Sequence, residues 1–520
     1  MKTFLQRFGA VVLGILSGFD RLVFKGKLRQ LYAPEGMNCY LSANHLLYVD
    51  FRQHVESVTQ RVLEASLIAQ AKRLRRFEYL NSSQVSKEEV ARKYAEEHQV
   101  NEGLVCVLQC VEPCWSFDLD KKADGKLTVV GKPRKCSFLY HYYLHPQFGW
   151  MHVRLQTWFP FEIQVYLNGR EWLARQMDRV GLGYRRSDNK FLWVEDWPVT
   201  QQLFDQQLQT TWPGLLDALQ RQVHPLHPGH LGRLPVAYNW TVYQSEWATD
   251  VAFASRQDLE QFYRRWVQYA FLNFDSTDVL RFLGRSGRLY EQGTVAIQTK
   301  VEPFYEGTRL KHWVDHNSLK LYDHLNVLRP ETTINEPKGF RVYRTAQDDP
   351  DGEMKWRILR RNVADLYRRA QVSQAANERY LEALAGVSET KSVKELTAPL
   401  CQRVPEPGKK PGRKVRALNP LGATDAALLT AISDPKHMVN GVRNRDLAQA
   451  LYPEPTTDAQ EKRRRSARVT RLIRILRGHS LLHKIPRTHR YQVPADARTR
   501  ILAILAARDA NPDELTSKAA

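Results

Sequence analysis

Between residues 56 and 74, apolar side chains recur at Val58, Val62, Leu67, Ala71 and Leu74, the spacing of one helix face, and a basic cluster at 72–76 closes it. Ser86 with Glu89 three residues on is a capping box that opens a second helix through Val90, Tyr94 and Ala95. From Gly103 the period changes. Segments 104–111, 127–130, 137–144, 150–157 and 161–167 are rich in β-branched and aromatic residues with short polar breaks, which predicts antiparallel sheet over about 103–168. Asn168-Gly169 then turns the chain into a helix over 170–179. Residues 232–344 repeat the mixture: a helix over 255–271 with Leu259, Phe262, Trp266 and Tyr269 inward, and a helix start capped by Asp275 or Asp278. Strands follow at 294–300, 309–314, 318–322 and 326–334, a second sheet region at about 294–344. From 356 to 387 the period is helical again.

A stretch rich in Pro, Gly, Lys and Arg at 405–414 reads as an exposed basic linker. Beyond it, Thr457 and Gln460 form a capping box, and Val469, Leu472, Ile473 and Leu476 mark the buried stripe of a long helix. Arg468, Arg471, Arg474 and Arg477 make a second stripe beside it, Lys462 to Arg465 charge the first turns, and Gly478 suits the C′ position. Residues 481–485 and 490–493 read as short strands around Pro486-Arg487-Thr488-His489. Apolar helices at 424–432 and 444–451 precede these elements, and a closing helix carries Ile501, Leu502, Ile504 and Leu505 on one side. Over roughly the last hundred residues this order resembles the winged helix-turn-helix of bacterial DNA-binding proteins. The resemblance implies that the long helix enters the major groove while the hairpin with Arg487, His489 and Arg490 follows the backbone or minor groove. Arg464, Arg468, Arg471, Arg474, Arg477, Lys484, Arg487 and Arg490 are then the DNA-binding residues. A protein-binding winged helix with a solvated basic face is the alternative.

The length, 520 residues at 43% hydrophobic, accommodates two to four domains. The fold class expected is α+β and multidomain: a mixed core at 1–345, a helical segment at 346–400, a basic linker at 401–421, the winged helix at 422–510 and a tail at 511–520. A formal charge of +21 calls for an anionic partner, first of all DNA, duplex or single-stranded, with RNA as the alternative. The apolar run at residues 10–16 is short, is interrupted by Gly14, and leads into Asp20-Arg21 without a small-x-small cleavage site. These features predict a cytoplasmic protein with no membrane partner.

Cys106, Cys110, Cys114 and Cys136 lack the paired spacing of a zinc site and read as buried strand residues, so zinc is not expected. His141, His145 and His152 are candidate metal ligands if adjacent strands bring them together, though histidines packed in an aromatic sheet account for them as well. The sharpest chemistry lies in Lys320-Leu321-Tyr322-Asp323-His324 followed by Arg329-Pro330-Glu331. On neighbouring strands, alternation puts Lys320 and Tyr322 on one face and Arg329 and Glu331 on one face of the next. A phenol beside cations and a carboxylate suits phosphoryl transfer, with Mg²⁺ or Mn²⁺ as the cation.

The stretch 309–335 resembles the K-x-Y-D-K … R-x-E signature of rolling-circle replication initiators and relaxases of plasmids and phages. That resemblance implies Tyr322 as nucleophile, Lys320 and Arg329 as charge stabilisers and Glu331 as metal or base residue, in a DNA nickase or strand transferase of a mobile element. His324 stands where the signature has its second Lys, Pro330 separates Arg329 from Glu331, and no His-apolar-His motif accompanies them. A β-hairpin held by Lys/Arg to Glu pairs accounts for the same residues, leaving a non-catalytic DNA- or RNA-binding regulator or architectural protein. Residues 18–24 and 168–176, with the C-terminal region, also resemble a bacterial protein group that carries no assigned activity.

Overall fold

In the computed structural model, the described residues are 1–510 except 228–236, 286–295, 305–306, 347–348, 350, 388–392, 407–412, 438–440 and 487. The expected tail at 511–520 and Arg487 therefore lie outside them. Eleven strands form one sheet. They are β1 (Val12–Leu28), β2 (Phe77–Leu80), β3 (Gly103–Lys121), β4 (Leu127–His145), β5 (Gly149–Gln156), β6 (Ile163–Asn168), β9 (Tyr238–Phe253), β10 (Ile297–Phe304), β11 (Gly307–Val314), β12 (Asn317–His324) and β13 (Val327–Ile334). A small hairpin, β7 (Tyr184–Ser187) and β8 (Lys190–Val194), stands outside the sheet. The sheet order is β10-β11-β12-β13-β9-β1-β6-β5-β4-β3-β2, antiparallel throughout except for the β2–β3 pair.

The two sheet regions expected at 103–168 and 294–344 are thus one sheet, joined by β1 and β9. The apolar run at 10–16 leads into β1, whose residues 16–20 are all buried, so its texture is that of a central strand covered on both faces. Each half follows one plan. A long central strand (β1 or β9) is followed by a helical excursion and then by a four-stranded meander (β3–β6 or β10–β13) whose last strand returns to the central one. The junction of the halves places β6, β1, β9 and β13 side by side. Helices pack on the sheet over separate apolar clusters. In the second half, Arg256–Asn273 buries Leu259, Tyr263, Trp266, Val267 and Ala270, with Phe262 and Tyr269 at its edge, and helix Leu366–Leu384 lies beside it. Burying a side chain the size of Trp266 contributes roughly 1.5–3 kcal/mol.

The C-terminal region has its own core. Helices Ala423–Ser433, Asn444–Leu451, Ala459–Gly478 and Ala495–Asp509, with the two-residue strands His483–Lys484 and Tyr491–Gln492, enclose Leu428, Leu447, Val469, Ile473, Leu476 and Ile501. Leu396, Leu400 and Leu418 belong to the same cluster, so the stretch expected as a tether at 401–421 is anchored at both ends. Its residues 407–412 lie outside the described ones. The long helix is capped by Asp458, not Thr457: its carboxylate accepts from the Gln460 and Glu461 amides at 2.9 and 3.3 Å. Gly478 is the last helical residue, and the left-handed conformation falls on Ser480 (φ 56°). Packing explains that glycine, because a Cβ there would sit 2.5 Å from Val415 Cγ2. Among the described residues, no helix is long and apolar enough to cross a membrane.

Candidate active site on the central sheet

Lys320 pairs with Glu331 across β12 and β13, and Tyr322 pairs with Arg329. Side chains directly opposite share a face, so all four project from one side of the sheet. Register along β9 adds Glu246 and Asp250 to that side, since Thr333 faces Glu246 and Val327 to Leu328 face Ala252 to Val251. On β1, Arg21 lies opposite Glu246, whereas Asp20 is the extra residue between the Phe19–Trp247 and Arg21–Glu246 pairs. Such a bulge re-aims a side chain, and both Asp20 and Arg21 reach the same site. The start of the helix Gly169–Val180 completes it. Gly169 lies so close to β1 that a Cβ would meet the Phe19 carbonyl oxygen at 2.0 Å. That approach drives the following Arg170 into the sheet, where it is fully buried with Nη1 3.0 Å from Asp250 Oδ2.

Two linked charge clusters result. In the deeper one, Arg329 donates through Nη2 to Asp250 Oδ2 at 2.7 Å and to the Asn189 carbonyl at 2.7 Å, and through Nη1 to Asp20 Oδ1 at 3.0 Å. In the outer one, Lys320 Nζ lies 2.5 Å from Glu331 Oε1 and 3.4 Å from Glu246 Oε1, and the Tyr322 hydroxyl donates to Glu331 Oε2 at 2.5 Å. Arg21 Nε is 3.8 Å from Glu246 Oε2. Asp20, Arg21, Glu246, Lys320, Tyr322 and Glu331 line a cavity of about 310 Å³, together with Arg92, Arg309 and Lys190, the acids Glu88 and Asp188, and the rings of Trp150 and Tyr166.

The electrostatics follow from burial opposed by these pairs. Burial alone would raise the Glu331 carboxyl, but Lys320, Arg329 and the hydrogen bonds from Lys320 and Tyr322 hold it down at about 2. Burial works against the Lys320 charge as well, yet Glu246 and Glu331 outweigh it and keep the ammonium above its ordinary value. Burial and the facing Glu331 raise the Tyr322 phenol well above 10, which keeps its proton on oxygen. Burial lowers Lys190, with Arg329 adding to the effect.

Carboxylate oxygens of Asp20, Glu246 and Glu331 lie within 4.8 Å of one another, and this is the one group of potential metal ligands among the described residues. Oxygen-only ligands of this kind suit Mg²⁺ or Mn²⁺. Each carboxylate already has a cationic neighbour, and the Lys320 ammonium stands between Glu246 and Glu331, so a divalent ion fits once that side chain turns aside.

The histidine candidates do not converge. His141 faces Val153 and His152 faces Tyr142, which puts the two imidazoles on opposite sides of the sheet. His141 is fully buried with Nδ1 3.3 Å from the Val153 carbonyl, and His152 stacks on Tyr166 at 5.0 Å. His145 caps the next turn, its Nδ1 accepting from the Gln147 amide at 3.1 Å. The expectation fails on register, since His152 lands opposite residue 142. Of the cysteines, Cys106, Cys110 and Cys136 are buried in the apolar cluster between β3, β4 and the helix Lys87–Glu97, with Cys114 at its edge.

Asp20, Glu246 and Asp250 were absent from the residues expected on sequence pattern. Their signal is two acids four residues apart in the aromatic, β-branched stretch Ser245-Glu246-Trp247-Ala248-Thr249-Asp250-Val251. Acidic side chains on one face of a strand this apolar require buried partners.

On the C-terminal helix, Arg464, Arg468, Arg471 and Arg474 are exposed and Arg477 is half-buried. Arg471, Arg474 and Arg477 meet Asn444, Thr470 and His489 around a cavity of about 390 Å³, while Lys484 and Arg490 lie on the adjoining hairpin. Glu406 reaches into this cavity, 3.6 Å from Arg474 and 2.9 Å from Arg413. Compared with family models, curated proteins and solved structures, the chain matches none of them.

Proposed function

We propose that the protein binds duplex DNA through the C-terminal helix Ala459–Gly478 and cleaves one strand in the acidic pocket of the sheet. The convergence of Lys320, Tyr322 and Glu331 with Asp20 and Glu246 in one charged cavity, with the buried Arg329 bonded to Asp20, carries this reading. The exposed arginine face of the helix supports the DNA half of it. Asp20, Glu246 and Glu331 would hold a Mg²⁺ or Mn²⁺ ion, and the chemistry it would supply there is Lewis acidity towards a phosphoryl oxygen. Arg21, Arg92 and Arg309 at the rim take the phosphate oxygens and offset the charge that develops on them. Arg329 fixes Asp20 and Asp250 in place through its hydrogen bonds to them.

Tyr322 acts by position. Burial raises the Tyr322 phenol while Lys320 holds the Glu331 carboxyl low, so the proton stays on the phenol; the hydroxyl pins Glu331 Oε2 and Lys320 holds Oε1. Cleavage is then hydrolytic, with water and not the tyrosine attacking phosphorus. Nicking of supercoiled DNA carrying the flanking sequences of the gene, with Mg²⁺ or Mn²⁺, tests this. The wild type nicks without forming a detergent-resistant adduct, and Tyr322→Phe nicks about tenfold more slowly. An adduct that Tyr322→Phe abolishes would reinstate tyrosine attack. Complete internal pairing of the site's carboxylates favours a second reading, a non-catalytic DNA- or RNA-binding protein held together by buried ion pairs. Absence of nicking under all these conditions selects it.

A further inference from the structure

Residues 341–358 contribute a hairpin outside the main sheet, β14 (Arg341–Arg344) paired with β15 (Lys355–Ile358). Its register sets Tyr343 opposite Trp356, with ring centroids 5.7 Å apart. Alternation buries Val342, yet the two rings are 55% and 65% exposed, and Ile358 beside them is 52% exposed. Apolar surface gathered in this way on a small element marks a contact site. Between the hairpin and the helix Leu366–Leu384 runs a groove of about 360 Å³ with Phe340, Val342 and Val372 among its lining residues. Arg341, Arg368 and Arg379 also line it, and among the described residues no carboxylate does. Arg341 is exposed and has no ion-pair partner among them. Arg368 lies over the ring of Tyr367, itself 41% exposed, at 4.5 Å from the centroid.

We propose that this hairpin and groove are a stacking platform for single-stranded nucleic acid, with bases on Trp356 and Tyr343 and phosphates at Arg341 and Arg368. Exposed aromatic faces interleaved with arginine are the chemistry by which proteins hold unpaired bases without sequence preference. Arg368 donates to Asp365 Oδ1 at 2.7 Å and Arg379 to the Phe282 carbonyl at 2.6 and 2.9 Å, so Arg341 is the guanidinium that favours an anion, with Arg368 beside it, and two open rings select planar heterocycles over aliphatic side chains. The inference rests on neither the acidic pocket nor the C-terminal helix.

The test is fluorescence anisotropy of the full-length protein with fluorescein-labelled 20-mer oligothymidylate, and separately with a duplex of the same length. Trp356→Ala and Tyr343→Ala each weaken single-strand binding roughly 5- to 100-fold, the range of one stacked base. Duplex affinity is unchanged. Trp356→Phe retains most of the binding, and an abasic 20-mer of equal charge binds the wild type as weakly as thymidylate binds Trp356→Ala. Both rings are exposed, so circular dichroism of the variants matches the wild type. Unchanged single-strand binding by Trp356→Ala, an equal loss on duplex, or tight binding of the abasic strand would overturn the proposal. Displacement of the oligonucleotide by poly-glutamate in a Trp356-dependent manner would overturn it in favour of an acidic protein partner.

Discussion

Replacing Lys320 with Met separates the two opposing effects in the acidic pocket. In the wild type, Glu331 sits at about 2 in the folded protein against an ordinary 4.5. At about 1.4 kcal/mol per pK unit, this contributes roughly 3 kcal/mol of stability. Glu331 is only 2% exposed, so solvent screening removes little of it. The folded value lies below the unfolded one, hence the contribution is complete above pH 4.5 and is lost as pH falls from 4.5 towards 2. Lys320→Met keeps the aliphatic stem but leaves Glu331 and Glu246 without the ammonium between them. Breaking a buried pair from one side costs about 3–5 kcal/mol. With its main counter-charge gone, burial raises the Glu331 carboxyl above its unfolded value, so the sign of the pH dependence reverses: the variant gains stability as pH falls from 8 to 5. The vacated position also receives a cation, and Mn²⁺ raises the variant's unfolding free energy more than the wild type's. Urea denaturation at pH 5 and pH 8, with and without Mn²⁺, reads all three effects. A loss below about 1 kcal/mol at pH 8, with the wild type's pH response, would show that solvent screens this pair and refute the reasoning.

Other parts of the molecule give separate outcomes. Arg468→Ala and Arg471→Ala weaken duplex binding and lower its salt dependence by about one counterion each, whereas Glu406→Gln frees Arg474 and tightens it; gel shifts at graded salt measure both. Burial holds His141 and His312 neutral, at about 4 against an ordinary 6.5. Protons therefore bind the unfolded chain first, and stability falls as pH drops from 6.5 towards 4, by up to roughly 3 kcal/mol for each histidine; chemical denaturation across that range detects it. Asp278, capped against Asp275, is pushed up to about 7 by burial and by that neighbour. The part of the melting temperature that rises as pH falls from 7 towards 4 therefore disappears in Asp278→Asn.

Alternation along β12 and β13 made the Lys320, Tyr322, Arg329 and Glu331 face legible in the amino-acid sequence, because a two-residue period fixes which side chains travel together. Antiparallel pairing then did what local pattern does not encode. Glu246 and Asp250 reach the site through the return of β13 to β9, and Asp20 through a single-residue bulge in β1. Sequence separations of 79 and 309 residues divide Asp250 and Asp20 from Arg329, and no local period reports them. The same limit hid the union of two expected sheet regions, since β1 looked like a short apolar run and β9 fell in a segment read only as mixed. Capping signals were legible to within a residue: Ser86 caps its helix as expected, accepting from the Glu89 amide at 3.4 Å. Asp458 displaced Thr457 because either side chain can serve and only the backbone path decides. The linker's composition suggested an open tether, whereas Leu400, Val415 and Leu418 anchor its ends in the C-terminal core.

The most direct measurement of strand cleavage at the pocket is the nicking rate of Glu331→Gln beside the wild type on supercoiled DNA in Mn²⁺, with duplex binding measured on the same samples. Cleavage by the Asp20, Glu246 and Glu331 group predicts a rate loss on the order of a hundredfold or more with binding unchanged. Equal nicking by both proteins, or a rate that falls only in step with DNA affinity, would contradict it.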